Sequence, residues 1–121
     1  NEIKGEKIMC VRLSFDLPVS VNKMYTRGGT GVILTNEARI WKRYAALVAK
    51  SQWGFEPPLK GNIRMEYHFC GSQLDADNGL KLCNDALNGI AYVDDRQITE
   101  MHVYITRKDK NPRLEIEVKE I

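Results

Sequence analysis

Ile63-Arg64-Met65-Glu66-Tyr67-His68-Phe69-Cys70 followed by Leu80-Lys81-Leu82-Cys83-Asn84-Asp85-Ala86-Leu87-Asn88-Gly89 is the stretch that decides the fold. In its first half Ile63, Met65, Tyr67 and Phe69 alternate with Arg64, Glu66, His68 and Cys70. This period of two makes 61–70 a strand with one apolar face. In its second half Leu80, Cys83 and Leu87, with Leu82 and Ala86 beside them, recur at helical spacing, which predicts a helix over 77–88 closed by Asn88-Gly89. A strand that hands over to a helix within so few residues sets up a layered arrangement with helices against a sheet.

The flanking sequence extends that pattern. Residues 8–16 end with Val11, Leu13 and Phe15 on one face and read as a strand. A long loop over 17–34 follows, carrying Asn22, Lys23, Tyr25 and Arg27. Thr35 or Asn36 caps the next helix. In it Ala38, Trp41, Ala45, Val48 and Ala49 form the buried stripe up to Trp53-Gly54. Arg39, Lys42, Arg43 and Lys50 lie on its other side, either as a solvated face or as a face for phosphate. Pro57-Pro58 breaks the chain before the strand at 61–70. Two more strands, 97–107 and 112–119, close the order β-α-β-α-β-β, an α+β fold with one mixed sheet and helices packed against it. Trp41 and Trp53 are expected in the core, and His68 and His102 in structural or exposed positions. Tyr92 fits either packing beside the acidic segment or stacking on a base.

With 121 residues, 43% of them apolar and 28% charged, the chain is expected to be a single domain over 1–121. Residues 1–7 are set aside as an unordered or appended segment, since the chain starts at Asn1. No apolar run approaches the roughly 18 residues of a membrane span, and no signal peptide is visible. Cys10, Cys70 and Cys83 are odd in number, widely spaced and form no Cys-x-x-Cys pair, so neither a zinc ribbon nor a disulfide framework is indicated. They read as buried reduced thiols of a cytoplasmic protein.

Between 75 and 97 the charge pattern becomes unusual. Asp75, Asp77, Asp85, Asp94 and Asp95 crowd together with Lys81, in a chain whose net charge is +2. Clustered aspartates repel one another, and a hard divalent cation with oxygen ligands relieves that repulsion. Mg²⁺ so held bridges carboxylates to phosphate oxygens, which points to phosphodiester chemistry. Setting aside the four negative charges of Asp75, Asp77, Asp94 and Asp95 leaves the rest of the molecule at +6, a surface attractive to a polyanion.

The geometry can be carried further. Asp75 and Asp77 are two apart in extended chain, so their carboxylates share a side. Asp77 also suits the N-cap of the helix. A short return through 89–93 would bring Asp94 or Asp95 beside them, and Lys81, one turn into the helix, would point to the same place and hold a phosphate. Two plainer readings fit the same residues. Asp77, Lys81 and Asp85 stand four apart as in an ion-pair ladder, and Asp94-Asp95 suit a turn. An EF-hand loop is excluded, since counting from Asp75 position six is Leu80 and position twelve Ala86.

The run Leu74-Asp75-Ala76-Asp77-Asn78-(x)2-Lys81-(x)3-Asp85-Ala86-Leu87-Asn88-Gly89-(x)4-Asp94-Asp95-Arg96-Gln97-Ile98 resembles the signature of the RusA family of Holliday junction resolvases, typically encoded by bacteria and their prophages. Pro18-Val19-Ser20-Val21-Asn22-Lys23-Met24-Tyr25 resembles that family's N-terminal loop. Gly79 departs from it, standing where a larger apolar residue is frequent. The resemblance implies a Mg²⁺-dependent endonuclease, with Mn²⁺ as a substitute and no organic cofactor. It implies a homodimer that resolves four-way or branched DNA by paired nicks in recombination and repair. By position Asp75, Asp77 and Asp95 match the essential acidic residues, Asp94 the neighbouring acidic position and Lys81 the essential lysine. Asn78 and Asp85 match positions that serve capping and packing equally well. Asn22, Lys23, Tyr25, Arg27, Lys81 and Arg96 are then candidates for contact with DNA. A junction-binding module without catalysis, or a nuclease for other branched or single-stranded nucleic acid, is the alternative.

Overall fold

A computed structural model describes residues 2–3, 6–7, 10–18, 25–27, 32–72 and 79–121, with side chains for 10–18, 35–72 and 79–121. Its centre is a four-stranded mixed sheet in the order β3-β8-β6-β7, made of β3 (Cys10–Phe15), β6 (Ile63–Cys70), β7 (Ile98–Thr106) and β8 (Arg113–Glu120). β8 pairs antiparallel with both β3 and β6, while β6 and β7 run parallel. Two helices, α1 (Asn36–Trp53) and α2 (Leu80–Ala86), complete the α+β fold in the expected order. Two short antiparallel pairs add to it: β1 (Glu2–Ile3) with β2 (Glu6–Lys7), and β4 (Tyr25–Arg27) with β5 (Val32–Leu34). The second pair corrects the reading of 17–34 as loop throughout. Its Gly28-Gly29-Thr30-Gly31 run had masked two strands too short to show a period.

The alternation that announced β6 is realised without exception. Ile63, Met65, Tyr67 and Phe69 are buried, and their neighbours are half-buried on the far face. Leu114, Ile116 and Val118 of β8 and Leu13 and Phe15 of β3 continue the apolar layer across the sheet. Burying each such side chain contributes about 1.5–3 kcal/mol. The opposite face carries charge, including the Arg12–Glu117 pair at 3.2 Å, and His68 stacks on Tyr104 with ring centres 4.8 Å apart. One wet face suits a mostly antiparallel sheet.

Thr35 caps α1, its hydroxyl accepting from the Ala38 N–H at 3.2 Å, and Gly54 ends it at φ 79°. Ala38, Trp41, Ala45, Ala49 and Trp53 are buried and Val48 packs beside them. The indole N–H of Trp41 donates to the Asp16 carbonyl at 3.1 Å, tying α1 to the end of β3. Both tryptophans are therefore core residues, as expected.

α2 is shorter than its sequence pattern. Its N-cap is Gly79, at φ 84° and without a side-chain capping bond, so the helix covers Leu80–Ala86 rather than 77–88, and the expected N-cap, Asp77, lies outside the described residues. A left-handed N-cap cannot continue a helix backwards, which is why the pattern overran. Leu82, Cys83, Ala86 and Leu87 are buried beneath it. The thiols correct a second expectation: Cys83 is buried and Cys70 half-buried, but Cys10 is exposed at an outward position of β3. Among the described residues no helix is long and apolar enough to cross a membrane.

Candidate active site

Parallel pairing of β6 with β7 requires a crossover, and residues 71–97 provide it. Ile63 pairs with Ile98, so β7 starts at the end of the sheet where β6 also starts. The chain must therefore travel back along the helical layer before β7 begins, and α2 with the turns after it makes that return. Asp95 ends the journey in a single 3₁₀ turn, Asp95–Gln97, directly before β7.

Asp94 and Asp95 are adjacent in sequence and differ in what they do. Asp94 caps the 3₁₀ turn. Its Oδ1 accepts from the Arg96 backbone N–H at 2.8 Å, and the Arg96 guanidinium donates to both of its oxygens at 3.3 and 3.2 Å. These bonds, the backbone one foremost, hold the Asp94 carboxyl below the usual carboxylate range. Gln97 completes the capping box, its Oε1 accepting from the backbone N–H groups of Val93 and Asp94 at 2.9 and 3.0 Å. Its amide then donates to the carbonyls of Leu59 and Gly61, both at 2.9 Å. The turn is thereby pinned to the segment that precedes β6.

With Asp94 so occupied, Asp95 is the carboxylate left to meet α2. It lies within hydrogen-bonding reach of Asp85, and partial burial followed by that contact raises its pKa above the ordinary value. Asp85 in turn receives the Lys81 ammonium at 3.5 Å from one helical turn away. Lys81, Asp85 and Asp95 therefore form one continuous chain of charge. Asp85 does belong to the i,i+4 pair that the spacing suggested, but it also carries the contact to Asp95, which its sequence position did not disclose.

Two buried tyrosines hold this assembly on the sheet. The Tyr67 hydroxyl donates to Asn84 Oδ1 at 2.5 Å, and the Tyr92 hydroxyl donates to the Asn84 carbonyl at 2.8 Å. Both residues are fully buried, and burial pushes both phenol pKa values up, so each stays a neutral donor. Tyr92 thus packs under the site and does not offer its ring to a base. Asn84 and Gln97 are the positioning residues that sequence reasoning missed. The Asp94-x-x-Gln97 spacing of a capping box was a signal for the second; nothing local marks the first.

The remaining candidates divide as follows. Lys81 and Arg96 are strongly exposed, Arg96 in its pair with Asp94. Tyr25 and Arg27 fall on β4, whose backbone alone is described. Asp75, Asp77 and Asn78, like Asn22 and Lys23, lie outside the described residues. Among the described residues no three His, Cys, Asp or Glu side chains are grouped to hold a metal. The donor set at Asp85 and Asp95 nevertheless suits a hard cation: all its atoms are oxygens, and two carboxylates are held against each other at a cost that positive charge would remove.

Residues 16–119 match the family model described as endodeoxyribonuclease RusA. No curated protein matches the sequence.

Proposed function

The chain belongs to the RusA family of endodeoxyribonucleases, matched over residues 16–119, and from that premise we propose that it resolves four-way DNA junctions by paired, Mg²⁺-dependent nicks. The observation that carries this reading is the mutual approach of Asp85 and Asp95 beside Lys81. Such an arrangement is costly in an uncatalytic protein and useful at a phosphodiester.

In this reading Asp95 joins Asp75 and Asp77 in holding Mg²⁺, with Mn²⁺ as a substitute, and Asp94 fixes the turn from which Asp95 projects. A bound divalent cation supplies charge neutralisation at the phosphoryl oxygens and a water acidic enough to attack near neutral pH. Lys81 reaches the scissile phosphate with its ammonium and stabilises charge that develops on the non-bridging or leaving oxygen. Asp85 keeps that ammonium aimed, since it is the ion-pair partner of Lys81 among the described residues. Tyr67, Asn84 and Tyr92 fix α2 so that these distances do not drift.

Each chain holds one such site, and a four-way junction has two-fold pseudo-symmetry. A homodimer would present two sites to two strands, which paired nicking needs. Branched DNA is then the partner, in recombination and repair in the cytoplasm.

The test is a fixed four-way junction incubated with Mg²⁺, with products mapped to the nucleotide. Symmetric nicks are expected, and Asp95→Asn or Asp77→Asn should abolish them while leaving junction binding intact. Wild-type protein that binds junctions but stays inert with both Mg²⁺ and Mn²⁺ would show a binding module. Preferential cutting of flaps or single strands in competition would redirect the substrate.

A further inference from the structure

Three cations of α1 remain outside the site just described. Arg39 stands one turn from both Lys42 (i, i+3) and Arg43 (i, i+4), with Cβ atoms about 5–6 Å apart in each of these pairs, and all three line the same side of the helix. That face borders a surface cleft of about 500 Å³, whose opposite wall is Asp85, Ala86, Asn88 and Ile90. None of the three makes an ion pair or a side-chain hydrogen bond with another described residue. The nearby carboxylate, Asp85, is already engaged by Lys81 and faces Asp95. The cleft thus joins, on one wall, positive charge without an ion-pair partner among the described residues and, on the other, the carboxylate pair.

We propose that this cleft is the channel for the DNA strand that is cut, with Arg39, Lys42 and Arg43 gripping successive backbone phosphates next to the Asp85–Asp95 pair. The occupant follows from charge. A polyanion matches three cations gathered along one wall of the cleft, and a strand whose phosphodiester reaches Asp95 from α1 passes over Asp85. Two of the three cations are arginines, which suits bidentate contact with phosphate oxygens. A helix face, unlike a loop, holds those contacts in register. This inference rests on the nuclease reading above and adds to it the path of the substrate and the residues that set it.

The test uses the full chain and a fluorescently labelled four-way junction, titrated in Ca²⁺ or EDTA at several salt concentrations. Each phosphate contact contributes about 0.9 to the slope of log K against log salt on duplex DNA. Arg39→Ala/Lys42→Ala/Arg43→Ala should therefore flatten the slope by about 2–3 and weaken binding at 0.1 M salt by roughly tenfold or more. Each single alanine variant should lower it by about 0.9, which keeps the measurement informative if the triple variant folds poorly. Arg39→Lys/Arg43→Lys should keep the slope, because charge is conserved. An unchanged slope in folded alanine variants, with the wild type binding junctions normally, would overturn the channel and leave the nuclease reading standing. Wild-type protein that neither binds nor cuts junctions would overturn both.

Discussion

Asp95 and Asp85 bring two carboxyl groups within hydrogen-bonding reach of each other, one from the turn before β7 and the other from α2. Neither element faces the other in sequence, and the crossover between parallel strands makes them neighbours. Asp95 pays for that position with a raised pKa, caused by partial burial first and by Asp85 second. Cation binding competes with protons at such a group. As pH falls, Asp95 protonates earlier than an ordinary aspartate, so activity at limiting Mg²⁺ should fade from a higher pH than the usual aspartate range. Asp85→Asn removes one cause of the shift and should move this acid limb downward, as read from pH–rate profiles at fixed low metal.

Lys81 separates a structural ion pair from a working one. Its pair with Asp85 is strongly exposed at the lysine, so Lys81→Gln should change stability by less than about 0.5 kcal/mol. In the proposed reading the ammonium acts on transition-state charge, so nicking should nonetheless fall by about 10²-fold or more. Urea unfolding and single-turnover cleavage on the same preparation compare the two effects. An equal, small loss in both would assign Lys81 to the helix face alone.

Gln97 should behave in the opposite way. Gln97→Ala frees the backbone N–H groups of Val93 and Asp94 and the carbonyls of Leu59 and Gly61 at once. A loss of about 1–3 kcal/mol in unfolding free energy is expected, together with slower cleavage because Asp95 is no longer fixed. Gln97→Glu keeps the two acceptor contacts but sets a carboxylate oxygen against the Leu59 and Gly61 carbonyls, so it should recover little of either, measured by denaturant titration and by nicking rate.

The three thiols should react in an order set by their surroundings. Burial pushes the Cys83 thiol up to about 12, so almost no thiolate exists near pH 8 and no reagent can reach it. Cys10 is exposed and should be alkylated first, although burial of its base and Glu117 raise its pKa somewhat. Timed alkylation followed by mass spectrometry should find Cys83 modified only as the protein unfolds.

Periodic features were legible in the sequence because burial repeats them. Ile63, Met65, Tyr67 and Phe69 named their strand, and Trp41 and Trp53 their helix, since each position repeats one environment. Single-residue geometry was harder to read. Gly79 looked like a departure inside a helix and is the residue that starts it, through a backbone angle that no spacing encodes. Asp94 and Asp95 are chemically identical, and only the 3₁₀ turn assigns one to capping and the other to Asp85. The Asp85 contact depends on the parallel register of β6 and β7, a tertiary fact with no local trace. The rule of burial for cysteine failed at Cys10 because alternation on β3 places that residue outward.

Among the described strands β7 stands at one border of the sheet and β3 at the other, and β7 takes its hydrogen-bonded neighbour from β6. Asp95 sits at the root of that border strand, so heat that frays this edge dislodges the carboxylate while the central pair of β8 and β6 stays zipped together. Thermal inactivation should consequently run ahead of melting, with the nuclease switching off several degrees before its circular dichroism changes and recovering on cooling.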